Sequence, residues 1–95
     1  REIAQHRARQ AVPKADVVIT NPTHFSVAVQ YDAKTMRAPR VVAKGVDHMA
    51  MQIRAIATQH DVPILERPPL ARALYYGVDV GHEVPPEQYQ AVAEV

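Results

Sequence analysis

The chain has 95 residues, 47% of them hydrophobic, which is enough for one small domain burying roughly two-thirds of its unfolded surface without covalent staples. Its net charge of +1 is too balanced to argue for a nucleic-acid partner over the domain as a whole. The absence of cysteine excludes disulfides and thiolate nucleophiles, no run approaches the ~20 apolar residues of a membrane span, and no signal-peptide pattern is present.

Arg1-Glu2-Ile3-Ala4-Gln5-His6-Arg7-Ala8-Arg9-Gln10 joins good helix formers to a basic excess, which suits either a linker near an anionic leaflet or a solvated helical tail. Pro13 should end that helix. Asp16 to Thr20 is a nearly continuous apolar run, the pattern of a strand covered on both faces inside a sheet. After Asn21-Pro22-Thr23-His24, the residues Phe25, Val27, Val29 and Tyr31 alternate with Ser26, Ala28, Gln30 and Asp32. That period of two predicts a half-buried strand, with one face core and one wetter. The short connection makes an antiparallel hairpin the simplest pairing, with the tetrapeptide at an exposed bend.

Asp32 to Pro39 has turn formers and no apolar period and reads as a surface loop. Arg40 to Lys44 forms a third strand, which Gly45 should break. Asp47 is placed to cap a helix whose buried face carries Met49, Ile53, Ile56 and His60, with Ala50 and Ala57 beside them and Met51 opposite. Val62 to Glu66 supplies a fourth strand, so that Arg40 to Glu66 makes a parallel, right-handed crossover. Pro68 and Pro69 pre-set a helix with Leu70, Ala73 and Leu74 as its buried stripe, and Gly77 can end it in a left-handed conformation. Val78 to Val84 reads as a loop or a brief fifth strand. Pro85 and Pro86 open a last helix with Tyr89, Val92 and Ala93 on one face. The expected fold is α/β, a small mixed sheet of about four strands surrounded by helices.

The tetrapeptide carries the chemistry. Asn-Pro reads first as a turn, because Pro fixes its own φ and restricts the residue before it. It is also a site where a backbone can cut itself. The Asn21 side-chain nitrogen can attack its own main-chain carbonyl carbon, closing a five-membered succinimide and releasing Pro22 as a new amino terminus. The ordinary competitor, deamidation, needs a backbone N–H on the following residue, and Pro22 has none. Such an intramolecular attack is fast only when the bend holds the amide near the carbonyl, so the flanking strands matter as much as Asn21. The developing oxyanion needs a donor, for which Thr23 or nearby backbone N–H groups are candidates. An imidazole can take up and return a proton, so His24 is the candidate for moving the proton to the departing Pro22 nitrogen, and it equally suits a surface or turn-packing position.

Other chemistries find little support. His6, His24, His48, His60 and His82 lack zinc-ligand spacing, the three glycines form no phosphate-cradling series, and no seryl nucleophile motif surrounds Ser26. Neither a metal nor a cofactor is expected, nor a turnover enzyme.

Ala15-Asp16-Val17-Val18-Ile19-Thr20-Asn21-Pro22-Thr23-His24, with Val42-Ala43-Lys44-Gly45 and Pro68-Pro69-Leu70-Ala71-Arg72-Ala73-Leu74-Tyr75, resembles the cytoplasmic domain of the FlhB/YscU export-switch family over the whole chain. The double proline at Pro68 and Pro69 looks more like the flagellar branch than the injectisome branch. The resemblance implies a type III secretion component that cuts itself once between Asn21 and Pro22, the pieces staying together in one fold, and so switches export substrate specificity. It further implies transmembrane helices upstream, a place on the cytoplasmic side of the bacterial inner membrane, and a division into a helical linker (1–14) and an autocleaving domain (15–95). The implied partners are other export-apparatus proteins, export substrates, chaperones and a hook-length control protein. A plain docking module whose Asn-Pro turn never reacts, with the apolar stripes and the Arg72 helix face serving partners, is the alternative.

Overall fold

A computed structural model describes residues 2–22 and 24–88. Its elements run in the order α1 (Glu2–Ala11), β1 (Val17–Asn21), β2 (Phe25–Gln30), β3 (Arg40–Val46), α2 (His48–Gln59), β4 (Ile64–Glu66) and α3 (Pro68–Gly77), with short 3-10 turns at Val12–Lys14 and Pro86–Gln88. The four strands form one sheet in the order β3-β2-β1-β4. The β1–β2 and β2–β3 pairs are antiparallel and the β1–β4 pair is parallel. This is the mixed α/β fold that the sequence predicts. The β3-α2-β4 unit is a parallel crossover, although β4 lands beside β1 and not beside β3. The predicted last-helix stripe Tyr89, Val92 and Ala93 lies outside the described residues.

The sheet is covered on both faces. On one, Val17, Ile19, Phe25, Val27, Val29 and Val41 pack with Ala71 and Leu74 of α3 and with Val78 and Val84. On the other, Val18, Ala28 and Ala43 pack with Ala8 and Val12 near the amino terminus, Ile53 and Ala57 of α2, and Val62. The amino-terminal helix is therefore packed through Ala8 into the second core, where that side chain is buried.

Covering both faces corrects the reading of β2. Its alternate face is not wetter, since Ser26 and Ala28 are fully buried. Small residues at alternate positions mark the close approach of α2, and Ser26 satisfies its hydroxyl by donating to the Ala50 carbonyl at 2.9 Å.

Gly45 does not break β3, which pairs Gly45 with Ser26 and Val46 with Phe25. Its lack of a side chain serves packing instead. A Cβ there would lie 2.6 Å from Met49 Cγ and 2.8 Å from Met49 Cβ. A β-bulge between Ala28 and Val29 pairs Ala28 with Ala43 and Val29 with Val41, leaving Val42 as the extra residue. As a result Val41 and Ala43, two apart, contribute to opposite cores, and Lys44 turns toward α3.

That turn explains how α3 ends. Gly77 is the last helical residue and not a left-handed cap; the carbonyls at the helix end are taken up by Lys44, whose Nζ donates to Tyr75 O at 2.7 Å and Val78 O at 2.9 Å. The ammonium also lies 5.1 Å from the Tyr75 ring centroid, so the cation meets both the negative helix end and an aromatic face. The buried stripe of α3 is Ala71 and Leu74, with Leu70 half-buried; Ala73 is exposed, because the helix is rotated by a residue from the predicted stripe. Lys44→Met keeps the stem and removes the charge. It should cost about 1–3 kcal/mol, as expected for charge-assisted hydrogen bonds, measured as a lower urea midpoint with an unchanged slope.

In α2 the buried residues are Ala50, Ile53 and Ala57, while Met49 and Ile56 are half-buried, and His60, predicted on the core face, is exposed beyond the last turn. Met51 is 60% exposed, on the opposite side as predicted. Asp61 follows the helix with φ 59°, a left-handed position that aspartate tolerates better than most residues. The 78–84 segment is a loop with a single bridge, Arg40 to Glu83, and it closes part of the β3 edge through Gly81 N–H to Val41 O and Val41 N–H to His82 O.

Candidate functional site

The bend between β1 and β2 is short because Asn21 pairs directly with Phe25. Asn21 is thus both the last residue of a central strand and the first of the turn, and its main chain is set by the ladder. The His24 N–H donates to the Asn21 carbonyl at 2.9 Å. In the cleavage chemistry this oxygen becomes the oxyanion, so a backbone donor already sits on the atom where negative charge would develop. Thr23, predicted as an oxyanion donor, lies outside the described residues. Among the described residues, the Asn21 side-chain amide makes no hydrogen bond.

Helix α2 and its cap residue brace the hairpin at three points. Asp47 N–H donates to His24 O at 2.9 Å, Ser26 Oγ to Ala50 O at 2.9 Å, and Arg54 Nη1 to Pro22 O at 2.6 Å. Asp47 stands at the cap position of α2, as predicted, but makes no side-chain cap hydrogen bond. Its backbone is at φ 54° and ψ −114°, a conformation that costs a non-glycine residue about 1–3 kcal/mol and persists only where its surroundings impose it. The hydrogen bond to His24 is part of what imposes it.

The His24 side chain is exposed, with Nδ1 3.9 Å from an Asp47 carboxylate oxygen. At that separation, with both groups largely solvated, the pair is a weak attraction. The ring also stands 6.3 Å from that of Phe25, so His24 is at the bend but turned outward. Pro22 and Asn21 are half-buried.

Arg54 and Asp47 belong to this arrangement although the sequence did not point to them as site residues. For Arg54 a signal exists: a cation three and four residues from Ala57 and Ala50 sits on the small-residue edge of the buried stripe, where a helix approaches a sheet closely. Among the described residues, no cluster of three or more histidines, cysteines or acidic residues could hold a metal ion.

A four-stranded mixed sheet with an Asn-Pro bend at the end of a central strand, braced by a crossover helix, defines a class of small mixed α/β domain. It is similar to the cytoplasmic domain of FlhB from Shewanella putrefaciens, with a TM-score of 0.90 and 44% identity over 96% of this chain and 70% of that one. It is also similar to a mutated EscU C-terminal domain, with a TM-score of 0.88 and 30% identity over 92% of this chain and 87% of that one. The chain belongs to the FlhB HrpN YscU SpaS family, whose profile matches residues 1–95. The flagellar biosynthetic protein FlhB of Salmonella typhimurium is 57% identical over the whole chain, and that of Bacillus subtilis 55%. The chain spans about a quarter of the length of these relatives, 25% and 26%. Among the described residues, no helix is long and apolar enough to cross a membrane.

Proposed function

We propose that this chain is the cytoplasmic switch domain of a flagellar type III export protein. It cuts its own backbone once, between Asn21 and Pro22, by asparagine cyclisation, and the cut changes which substrates the export apparatus accepts. The observation that carries this reading is the His24 N–H on the Asn21 carbonyl, within a bend whose strands and helix leave it little freedom. The Asn21 nitrogen forms a bond to the carbonyl carbon as the bond to Pro22 breaks. The nitrogen's proton passes to Pro22, and the upstream piece ends in a succinimide. On this reading His24, exposed beside the bend, carries that proton by way of water. The event occurs once per chain, so the domain is a single-turnover catalyst of its own scission.

The comparisons support the setting. The curated relatives are flagellar biosynthetic proteins, and EscU domains of this fold have been solved with an asparagine, or the proline numbered next after it, replaced. In the flagellar setting the domain hangs from an upstream transmembrane portion on the cytoplasmic side of the inner membrane. It meets other export-apparatus proteins, export substrates, chaperones and a hook-length control protein there.

Time-resolved mass spectrometry of the purified protein tests the reading. Pieces of 21 and 74 residues, Arg1 to Asn21 and Pro22 to Val95, should appear, their initial masses summing to the parent without an added water. A chain that stays intact on long incubation would overturn the reading. The pieces should co-elute in gel filtration. The shorter one contributes β1, which lies between β2 and β4, together with buried Val12, Val18 and Ile19, each worth about 1.5–3 kcal/mol of burial. Elution of the shorter piece by itself would show that these contacts do not hold it.

A further inference from the structure

We infer that Arg54 is a positioning residue for cleavage at Asn21-Pro22, acting through the Pro22 carbonyl; the inference rests on the self-cutting reading above. Pro22 has one soft backbone torsion. Its ring fixes φ, and its nitrogen carries no hydrogen, so ψ and the carbonyl are the only means by which the fold can control this residue. In β-turns with proline at the second position, the peptide that follows can face either way, the second orientation needing a left-handed third residue that a β-branched threonine disfavours, and a hydrogen bond to the proline carbonyl holds the orientation adopted. Arg54 Nη1, donating to Pro22 O at 2.6 Å from a partly buried position on α2, makes that hydrogen bond.

The consequence reaches the scissile bond through geometry. With φ set by the ring and the carbonyl held by the guanidinium, the leaving residue keeps little freedom, in a bend where the His24 N–H lies on Asn21 O at 2.9 Å. The second strut, Asp47 N–H to His24 O at 2.9 Å, holds the far side of the bend. One strut therefore fixes each side of the scissile carbonyl's donor. Only the Arg54 strut acts on the leaving residue. The side chain is suited to this, since its planar, permanently charged fork donates without losing its proton and is weakly hydrated where it is partly buried. Arg54 touches neither the attacking nitrogen nor the carbonyl carbon, so it orients the reaction and takes no part in bond making.

The test follows the rate at which the 22–95 fragment appears in the parent, Arg54→Ala and Arg54→Lys, with the thermal midpoint of each read in an Asn21→Ala background that cannot cut. Arg54→Ala should slow cutting about ten- to a hundredfold, the scale of a lost sub-ångström alignment, with a midpoint close to that of the uncut parent. Arg54→Lys, which can still donate one hydrogen bond, should recover part of the rate. Millimolar methylguanidinium should speed Arg54→Ala and leave the parent unchanged, a response that a role in folding alone would not produce. Parental rates in Arg54→Ala, or a slowing matched by a fall in midpoint and unresponsive to methylguanidinium, would overturn the inference. A parent that never cuts would instead overturn the cleavage reading itself.

Discussion

Asn21→Ala should leave one chain of 95 residues under conditions in which the parent is cut into its two pieces. Alanine supplies no nucleophile. The fold should survive the change, because Asn21 holds its place through main-chain groups: its pairing with Phe25 and its carbonyl's bond from His24 N–H. The expected result is complete loss of cutting with little change in the unfolding midpoint. Fragments from Asn21→Ala at the parental rate would mean hydrolysis by an outside protease. The mass balance separates the two cases again, since hydrolysis adds a water to the sum of the pieces and cyclisation does not.

Gly45→Val should be the most damaging substitution for stability near the site. Even a bare Cβ at this position meets Met49 Cγ at 2.6 Å, Met49 Cβ at 2.8 Å and the Met49 backbone carbon at 3.1 Å. Met49 side-chain atoms can swing aside, but the backbone carbon can retreat only if the first turn of α2 lifts from β3. Two further carbons on valine make that displacement unavoidable. An overpacked site of this kind costs about 3 kcal/mol, a fall of more than about 10 °C in the midpoint for a domain of this size. The same displacement pulls Asp47 from His24 and Ala50 from Ser26, so in a chain still folded at low temperature cutting should slow as well. A valine variant with parental midpoint and parental rate would show that α2 does not press on β3 here.

These two residues lie at opposite ends of one mechanical unit. Gly45 lets α2 sit close to the sheet, and that closeness lets Asp47, Ala50 and Arg54 reach the hairpin. Asn21 is at the place where the hairpin presents its only proline-linked bond to that brace. After cleavage the carbonyl of Asn21 and the nitrogen of Pro22 are no longer joined, while the bond from Arg54 to the Pro22 carbonyl can persist. The hairpin loses its covalent bend but not its strut from the helix. Under the proposed function, it is to this freed strand end on an otherwise intact surface that export-substrate selection responds.

What the sequence determined by itself was the local alphabet of this fold. Continuous apolar letters in Asp16 to Thr20 announced a strand covered on both sides, Pro13 and Pro68 marked where one helix ends and another begins, and Asn21-Pro22 stood out because its chemistry is written in two adjacent side chains. The tertiary structure decided everything that depends on which face meets which neighbour. The alternation in β2 could not reveal that Ser26 and Ala28 are buried, because small polar and small apolar residues read as a wet face until a helix is found lying on them. The bulge at Val42 is invisible in Val41-Val42-Ala43-Lys44, yet it reverses the side-chain alternation and delivers Lys44 to the end of α3. Arg54 became part of the site only through a contact between residues 32 apart in the chain. Reactivity of a bond can be read from its own atoms, but the alignment that would make it react is a property of the elements that fold has brought around it.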